Sequence, residues 1–413
     1  MAEIETLYML LNINRIGHMT MELFFALQPQ IENPETTLIC HPSNRAPCNM
    51  AMYKILQRYY HIKPIDNFDE VANSRSVKSE NGKQLRVITF HPPYELFRFY
   101  YRWRNNEITP RFYKFTKEEI DTGHKIYEIF KIKDASKIVT LHVREDGYIP
   151  QLSYHTYRSA DIRTYEKAID YLIETGHTVV RIGDPSMKKL QPRDNLIDLP
   201  FCGYKNDFFD LWFVAESRFM ICTSSGPYDM ATVFGKTPKL AINSISTGPH
   251  FIHRMDRYIP KRMHSEKLKR ELRIEEMRFP GVFSGYSSFY EENGIKIVNN
   301  SEDEILESTK EMVSDLDNGT PVDQHDEHQL KFASMMYNLH KSKIISGYGE
   351  DAWVYGPHIS TVYLRRHPHL VDTPYQIEEQ LVHTHPTDKN AMQYMIEKDV
   401  HLKRCVHHFR SGL

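Results

Sequence analysis

The residues of this chain that could carry chemistry gather where short apolar runs end. In "ICTSSGPYDMATVFG" a strand-like run delivers Ser224, Ser225 and Gly226 to the start of a helical pattern. Small residues there let the backbone approach a ligand, and the free N–H groups of a helix start favour a phosphate. Pro227 suits a first helical turn, where no N–H is needed. An ordinary strand-to-helix turn with a serine cap would carry the same residues. In "TLHVREDGY", His142 and Arg144 stand two apart and therefore on one side of a strand end. An arginine in that place can grip a diphosphate with two parallel hydrogen bonds; a salt bridge to Glu145 or Asp146 is the alternative. "VVRIGDP" repeats the theme with Arg181, Gly183 and Asp184. A fourth place is "NINRIGHMTMELFFAL", where Gly17 and His18 separate an apolar run from a helical one, as a site or only as a turn.

These residues matter together only if the elements bring them together. Ligands of open α/β sheets bind outside the carboxyl ends of the strands, and three such ends here carry phosphate-compatible residues. The pattern from "IETLYMLLNINRIGH" through "KQLRVITFHPPY" reads as strand and helix in alternation. "TKEEIDTGHKIYEIFKI" is a helix opened by a Thr-x-x-Glu capping pattern. A second alternation runs from "DASKIVTLHVRED" through "HTVVRIGD", "DFFDLWFVAESR", "FMICTSSG" and "PYDMATVFGK" to "TPKLAINS". Two such series predict an α/β protein of two Rossmann-like, doubly wound domains. The boundaries fall at 1–130 and 131–345. A His-, Pro- and charge-rich extension over 346–413 packs back on the first domain or stands as an appendage.

Length, at 413 residues, supports two or three domains, and 40 % hydrophobic with 26 % charged residues supports a globular chain. Fifty-two basic against 54 acidic residues leave a net charge of -2, so no global field draws the chain to nucleic acid or an anionic membrane. The apolar N-terminal stretch is too short to span a bilayer and begins with the wrong charge for a secretory signal. A cytoplasmic location is the default, with peripheral membrane contact left open. Five scattered cysteines without a CxxC pair read as reduced thiols. The histidines of "VHTHPTD" and "RCVHHFR" lack a partner cluster at zinc spacing and read as surface or packing residues. Without the Walker lysine pattern or a GxGxxG after a first strand, a P-loop NTPase and a dinucleotide oxidoreductase are not supported.

The stretches "LHVRE", "YRSADIRTYEKAIDYLIETGHTVVRIGD", "DFFDLWFVAESRFMICTSSG" and "FGKTPKLAIN", with "RIGHM" near the start, resemble a family of bacterial putative glycosyltransferases from surface-polysaccharide loci. The resemblance covers most of the chain to about residue 320. It implies a GT-B-like arrangement, two Rossmann-like domains facing across a cleft, with a nucleotide-sugar donor held by the second. His142 and Arg144 resemble the His-x-Arg motif of fucosyltransferases, whose arginine contacts the donor phosphates. Ser224, Ser225 and Gly226 occupy the phosphate-contacting helix start. Transfer then needs no metal and no cofactor, because positive side chains and a helix N-terminus stabilise the leaving diphosphate. No Asp-x-Asp motif is placed to hold a cation.

In several inverting enzymes of that architecture a histidine after the first strand is the general base. His18 stands in that context, and imidazole suits proton transfer near neutral pH. Glu22, one helical turn on, orients the imidazole or replaces it. Gly17 would let a saccharide or lipid-linked saccharide acceptor lie against the backbone. Further acceptor contacts are expected from "HPSNRAPCN", through Asn44 and Arg45, and from the aromatic "HPPYELFRFYYRWRNN". Two rival readings share the architecture: a nucleotide-sugar 2-epimerase, and a non-catalytic carbohydrate-binding or scaffold protein.

Overall fold

A computed structural model describes residues 3–90, 99, 102–103, 107–147, 150–245, 253, 255–277, 287–319, 326–332, 335 and 358–372. The chain opens with β1 (Thr6–Met9), four consecutive buried residues, as expected of a parallel strand covered on both faces. It continues through α1 (Ile16–Ala26), β2 (Thr37–Pro42), α2 (Met50–Tyr59), β3 (His61–Ile65), α3 (Phe68–Ala72), β4 (Ser76–Lys78) and β5 (Gln84–Thr89). These strands form a five-stranded sheet in the order β3-β2-β1-β5-β4, parallel except for β4. Strand β1 lies at the point where the order reverses, so the loop that follows it opens into the crevice such sheets use for ligands.

Helix α4 (Lys117–Ile129) starts at the expected capping box, Thr116 and Glu119 satisfying each other's backbone N–H. The second alternation follows: β6 (Ile138–His142), α5 (Glu166–Glu174), β7 (Thr178–Arg181), β8 (Leu196–Asp198), α6 (Asp207–Glu216), β9 (Phe219–Cys222), α7 (Pro227–Phe234), β10 (Lys239–Ser244) and β11 (Arg257–Pro260). A hairpin of β12 (Arg262–Ser265) and β13 (Arg270–Glu271) joins β14 (Ile295–Val298) in a three-stranded antiparallel sheet. The segment "GIKIVNN" thus contributes its strand to this small sheet and not to the large parallel one. Helix α8 (Glu302–Asn318) begins at a second capping box, Ser301 with Glu304. Strand β15 (His358–Ile359) and helix α9 (Thr361–Arg366) complete the described chain.

The large sheet has seven strands in the order β15-β11-β10-β9-β6-β7-β8, and every pair in it is parallel. Its order reverses between β6 and β9. Both α/β series anticipated from the sequence are thus present, their strands falling within residues 6–89 and 138–359. Of the 346–413 extension, the described stretch 358–372 lies against the large sheet, where Arg257 donates to the Ile359 carbonyl and Glu311 accepts from the Thr361 N–H.

One apolar core runs through both sheets, because α1 packs on α7 and α2 on α6. Helix α1 is buried almost all round, Met19, Leu23, Phe24 and Phe25 being inaccessible to solvent. Among the described residues, no helix is long and apolar enough to cross a membrane. Cys40, Cys48, Cys202 and Cys222 are free thiols.

Candidate functional site

The ends of β1, β6, β7 and β9 meet at a cavity of about 500 Å³. Of the residues singled out from the sequence, Gly17, His18, His142, Arg144, Gly183, Asp184, Ser225 and Gly226 line it. Glu22, Arg181, Ser224, Asn44 and Arg45 do not.

Helix α1 begins at Ile16, so Gly17 and His18 belong to its first turn and not to a loop before it. The N–H groups of Ile16, Gly17 and His18 precede the first intrahelical bond, from Met19 to the Arg15 carbonyl, and have no partner within the helix. Helix α7 starts beside this turn. The contact is made by two glycines: a β-carbon on Gly226 would lie 2.7 Å from the Gly17 nitrogen, and one on Gly17 would lie 2.9 Å from the Gly226 α-carbon. Any side chain at either position would separate the two helix starts. Their positive ends are therefore held at one edge of the cavity.

Three arginines reinforce that edge. Arg15, Arg144 and Arg158 all line the cavity. Among the described residues, none of them has a carboxylate within 4.0 Å. Arg144 follows β6; its N–H donates to Thr223 Oγ1 at 2.9 Å, and its Nε is buried without a partner among the described residues. Burial, and then the neighbouring Arg158, hold the Arg144 guanidinium below its ordinary pKa. Arg158 donates from Nε (2.7 Å) and Nη2 (2.5 Å) to the Ser224 carbonyl. Its backbone is clamped on both sides by Lys261, whose Nζ donates to the carbonyls of Tyr157 (2.9 Å) and Ser159 (2.6 Å). Burial pushes the Lys261 ammonium down to about 7. Three guanidinium groups with no carboxylate within 4.0 Å among the described residues are a concentration of charge that an anionic ligand would neutralise.

The cavity's carboxylates are mostly engaged with protein groups. Glu145 Oε2 accepts from Arg181 Nη2 at 2.8 Å, and Asp210 from Lys205 Nζ at 2.5 Å. Asp207 accepts from the Met50 N–H at 2.7 Å, at the start of α2. Burial pushes Asp210 up to about 6 in spite of Lys205.

His142 is fully buried, and its Nδ1 lies 3.0 Å from Ser225 Oγ. Desolvation first, then Arg181 and Arg144, push its pKa down to about 3, so the ring is neutral and serves to position Ser225. His18 presents its ring to the cavity with Nδ1 2.5 Å from Oε1 of Glu22, whose side chain is 2 % exposed. In the neutral ring, a buried carboxylate at Nδ1 favours the tautomer with its proton on Nδ1 and the free lone pair on Nε2.

The remaining placements depart from the expected roles for identifiable reasons. Arg181 is fully buried, with Nη1 and Nη2 held by Glu145, Asp198 Oδ1 (3.2 Å) and the Lys188 carbonyl (2.6 Å); it braces β7 behind the cavity wall, with its charge met by two carboxylates, and does not face a ligand. Ser224 turns its hydroxyl to Ser244 at 3.1 Å, and only its carbonyl faces Arg158. Asn44 is exposed and Arg45 donates to the Leu11 carbonyl at 3.0 Å; the same loop reaches the cavity further on, through Cys48 and Asn49. Most of the aromatic "HPPYELFRFYYRWRNN" stretch, and the histidines of "VHTHPTD" and "RCVHHFR", lie outside the described residues. Sequence reasoning missed Arg15, Arg158, Lys205, Asp207 and Asp210. Arg15 adjoins the Gly17-His18 pair; the others carry no local signal.

No protein-family profile and no curated protein matches this chain. Among solved structures, similarity is found to ADP-heptose LPS heptosyltransferase II of E. coli, at 11 % identity over 62 % of this chain and 90 % of that one, with a TM-score of 0.38. A family 9 glycosyl transferase from Veillonella parvula aligns at 10 % identity over 76 % of this chain and 99 % of that one, with a TM-score of 0.45. The iron-containing dodecameric glycosyltransferase TibC of enterotoxigenic E. coli aligns at 10 % identity over 61 % and 62 %, with a TM-score of 0.34.

Proposed function

We propose that this protein is a glycosyltransferase that moves a sugar from a nucleoside-diphosphate donor to a saccharide acceptor, with inversion and without a metal. The observation that carries the reading is the convergence, on one edge of a cavity, of two helix starts and three arginines with no carboxylate within 4.0 Å among the described residues, together with His18, which lines the same cavity and is backed by Glu22. On this reading the diphosphate lies against the first turns of α1 and α7, within reach of Arg15, Arg144 and Arg158. The acceptor oxygen attacks the anomeric carbon as the bond from that carbon to the distal phosphate oxygen breaks. The nucleoside diphosphate leaves with the electron pair, and the arginines and helix N–H groups stabilise the charge it gains. The acceptor hydroxyl proton passes to His18 Nε2, and Glu22 stabilises the imidazolium that results. The two α/β series would then act as the facing halves of a GT-B-like enzyme, and synthesis of bacterial surface polysaccharide is the setting that the family resemblance implies.

The test is calorimetric titration with UDP, GDP, ADP and CDP, followed by product analysis with the matching nucleotide sugars. One diphosphate should bind, and Arg144→Ala should weaken it about 10- to 100-fold, the worth of a charge-assisted hydrogen-bond pair of about 1.5–3 kcal/mol. Absence of binding by every diphosphate, or unchanged affinity in Arg144→Ala, would refute the donor placement.

A further inference from the structure

Away from the cavity, the stretch 358–372 meets the small antiparallel sheet through two imidazoles. His367 ends α9, Pro368 follows, and the His369 ring lies 5.9 Å from that of His367 and nearly perpendicular to it. His369 Nε2 is 2.9 Å from Oε2 of Glu271 on β13. The other Glu271 oxygen, Oε1, accepts from Arg262 Nη1 at 2.6 Å. Nε2 of His367 is taken by Glu304, which the capping box with Ser301 holds in place at the start of α8. Glu271, His367 and His369 each offer one ligand atom within 4.8 Å of the other two, and none of the three lines the cavity.

We propose that Glu271, His367 and His369 bind a divalent transition-metal ion of the zinc type, which staples the 358–372 stretch to the small sheet. Two neutral imidazoles and one carboxylate are the donor set that such borderline cations prefer. Metal–ligand bonds of about 2.0–2.2 Å place neighbouring donors about 3.3 Å apart, so the present spread must close by about 1.5 Å. His369, with 49 % of its side chain exposed, has room to make that movement. The surrounding contacts are those that orient metal ligands. Glu304 on Nε2 of His367 leaves Nδ1 for the cation, and Arg262 on Oε1 of Glu271 leaves Oε2. With both rings neutral, Glu271, Glu304 and Arg262 sum to one negative charge, which attracts a cation. The ion would be structural: it would fix the stretch that supplies β15, the edge strand of the large sheet, and stand apart from the chemistry of the cavity.

The full-length chain, freed of any affinity tag and stripped with a chelator, is titrated with Zn²⁺ by calorimetry and with Co²⁺ by visible absorption. Binding of one ion at this site, micromolar or tighter, with Co²⁺ ligand-field bands and a raised unfolding temperature, is the expected result. His369→Ala, an exposed substitution, should weaken that binding at least about tenfold and abolish the temperature rise, and Glu271→Gln should act in the same direction. No binding by the wild-type chain overturns the proposal. Binding unchanged in both variants also overturns it, because the ion would then sit on other histidines.

Discussion

The contact between Gly17 and Gly226 makes the two helix starts one device, and a single methyl group tests it. In Gly226→Ala the new β-carbon would sit 2.7 Å from the Gly17 nitrogen and 2.8 Å from Ile16 Cγ2, about 0.7 Å inside ordinary van der Waals contact. The nearest atom is backbone at the start of α1, so a side-chain rotation cannot relieve the clash and the helices must part. Overpacking of this kind costs about 1–3 kcal/mol of unfolding free energy. A displaced helix start gives up about 0.5–2 kcal/mol of its interaction with an anion, which converts to roughly 2- to 30-fold weaker nucleoside-diphosphate binding. Gly17→Ala should do the same, its β-carbon falling 2.7 Å from Asp229 Oδ2 and 2.9 Å from the Gly226 α-carbon. Because both substitutions open the same gap, the double variant should lose clearly less than the sum of the two. Urea denaturation and calorimetric titration of the three variants measure both quantities. Additive losses, or a Gly226→Ala protein of unchanged stability and affinity, would refute the coupling of the two helix starts.

Two further outcomes follow from the site. His18→Ala should lower the turnover of transfer about 10²- to 10⁴-fold while diphosphate affinity stays within about twofold, the signature of a lost base. Glu22→Gln should act in the same direction, since an amide can hold the imidazole in either tautomer; near-normal initial rates at saturating donor in His18→Ala would exclude the base role. The buried His142 makes stability pH-dependent. Its folded pKa is depressed to about 3, so its stabilising share is complete above the ordinary imidazole value of about 6.5 and is lost as pH falls from there towards 3, when the unfolded ring takes up a proton that the folded one refuses. Between pH 7 and pH 5 the wild type should lose about 2 kcal/mol more than His142→Gln, which can keep a hydrogen bond to Ser225. Equal losses in urea denaturation would show that the ring is charged in the fold.

What the sequence could and could not disclose follows from the range over which each signal acts. Strands such as β1, β6 and β9 are legible because burial on both faces demands a short, mostly apolar run, and the capping boxes at Thr116 and Ser301 because both partners lie within one turn. The start of α1 at Ile16 is obscured in the sequence because Gly17 is a poor helix residue, yet its missing side chain is what lets α7 approach. Arg158 and Arg181 are the same residue type, one in the connection after β6 and the other at the end of β7. Only the fold decides that Glu145 and Asp198 pair with the buried Arg181, while the backbone at Arg158 is clamped by Lys261 and its side chain lines the cavity. The metal-ligand set is illegible for the same reason: Glu271 is brought to His367 and His369 by tertiary pairing, and no spacing rule spans that separation. The glycine pair at the site is an intermediate case. Each glycine marks its own helix start, but their joint meaning as the proposed anion-binding edge exists only where α1 packs on α7.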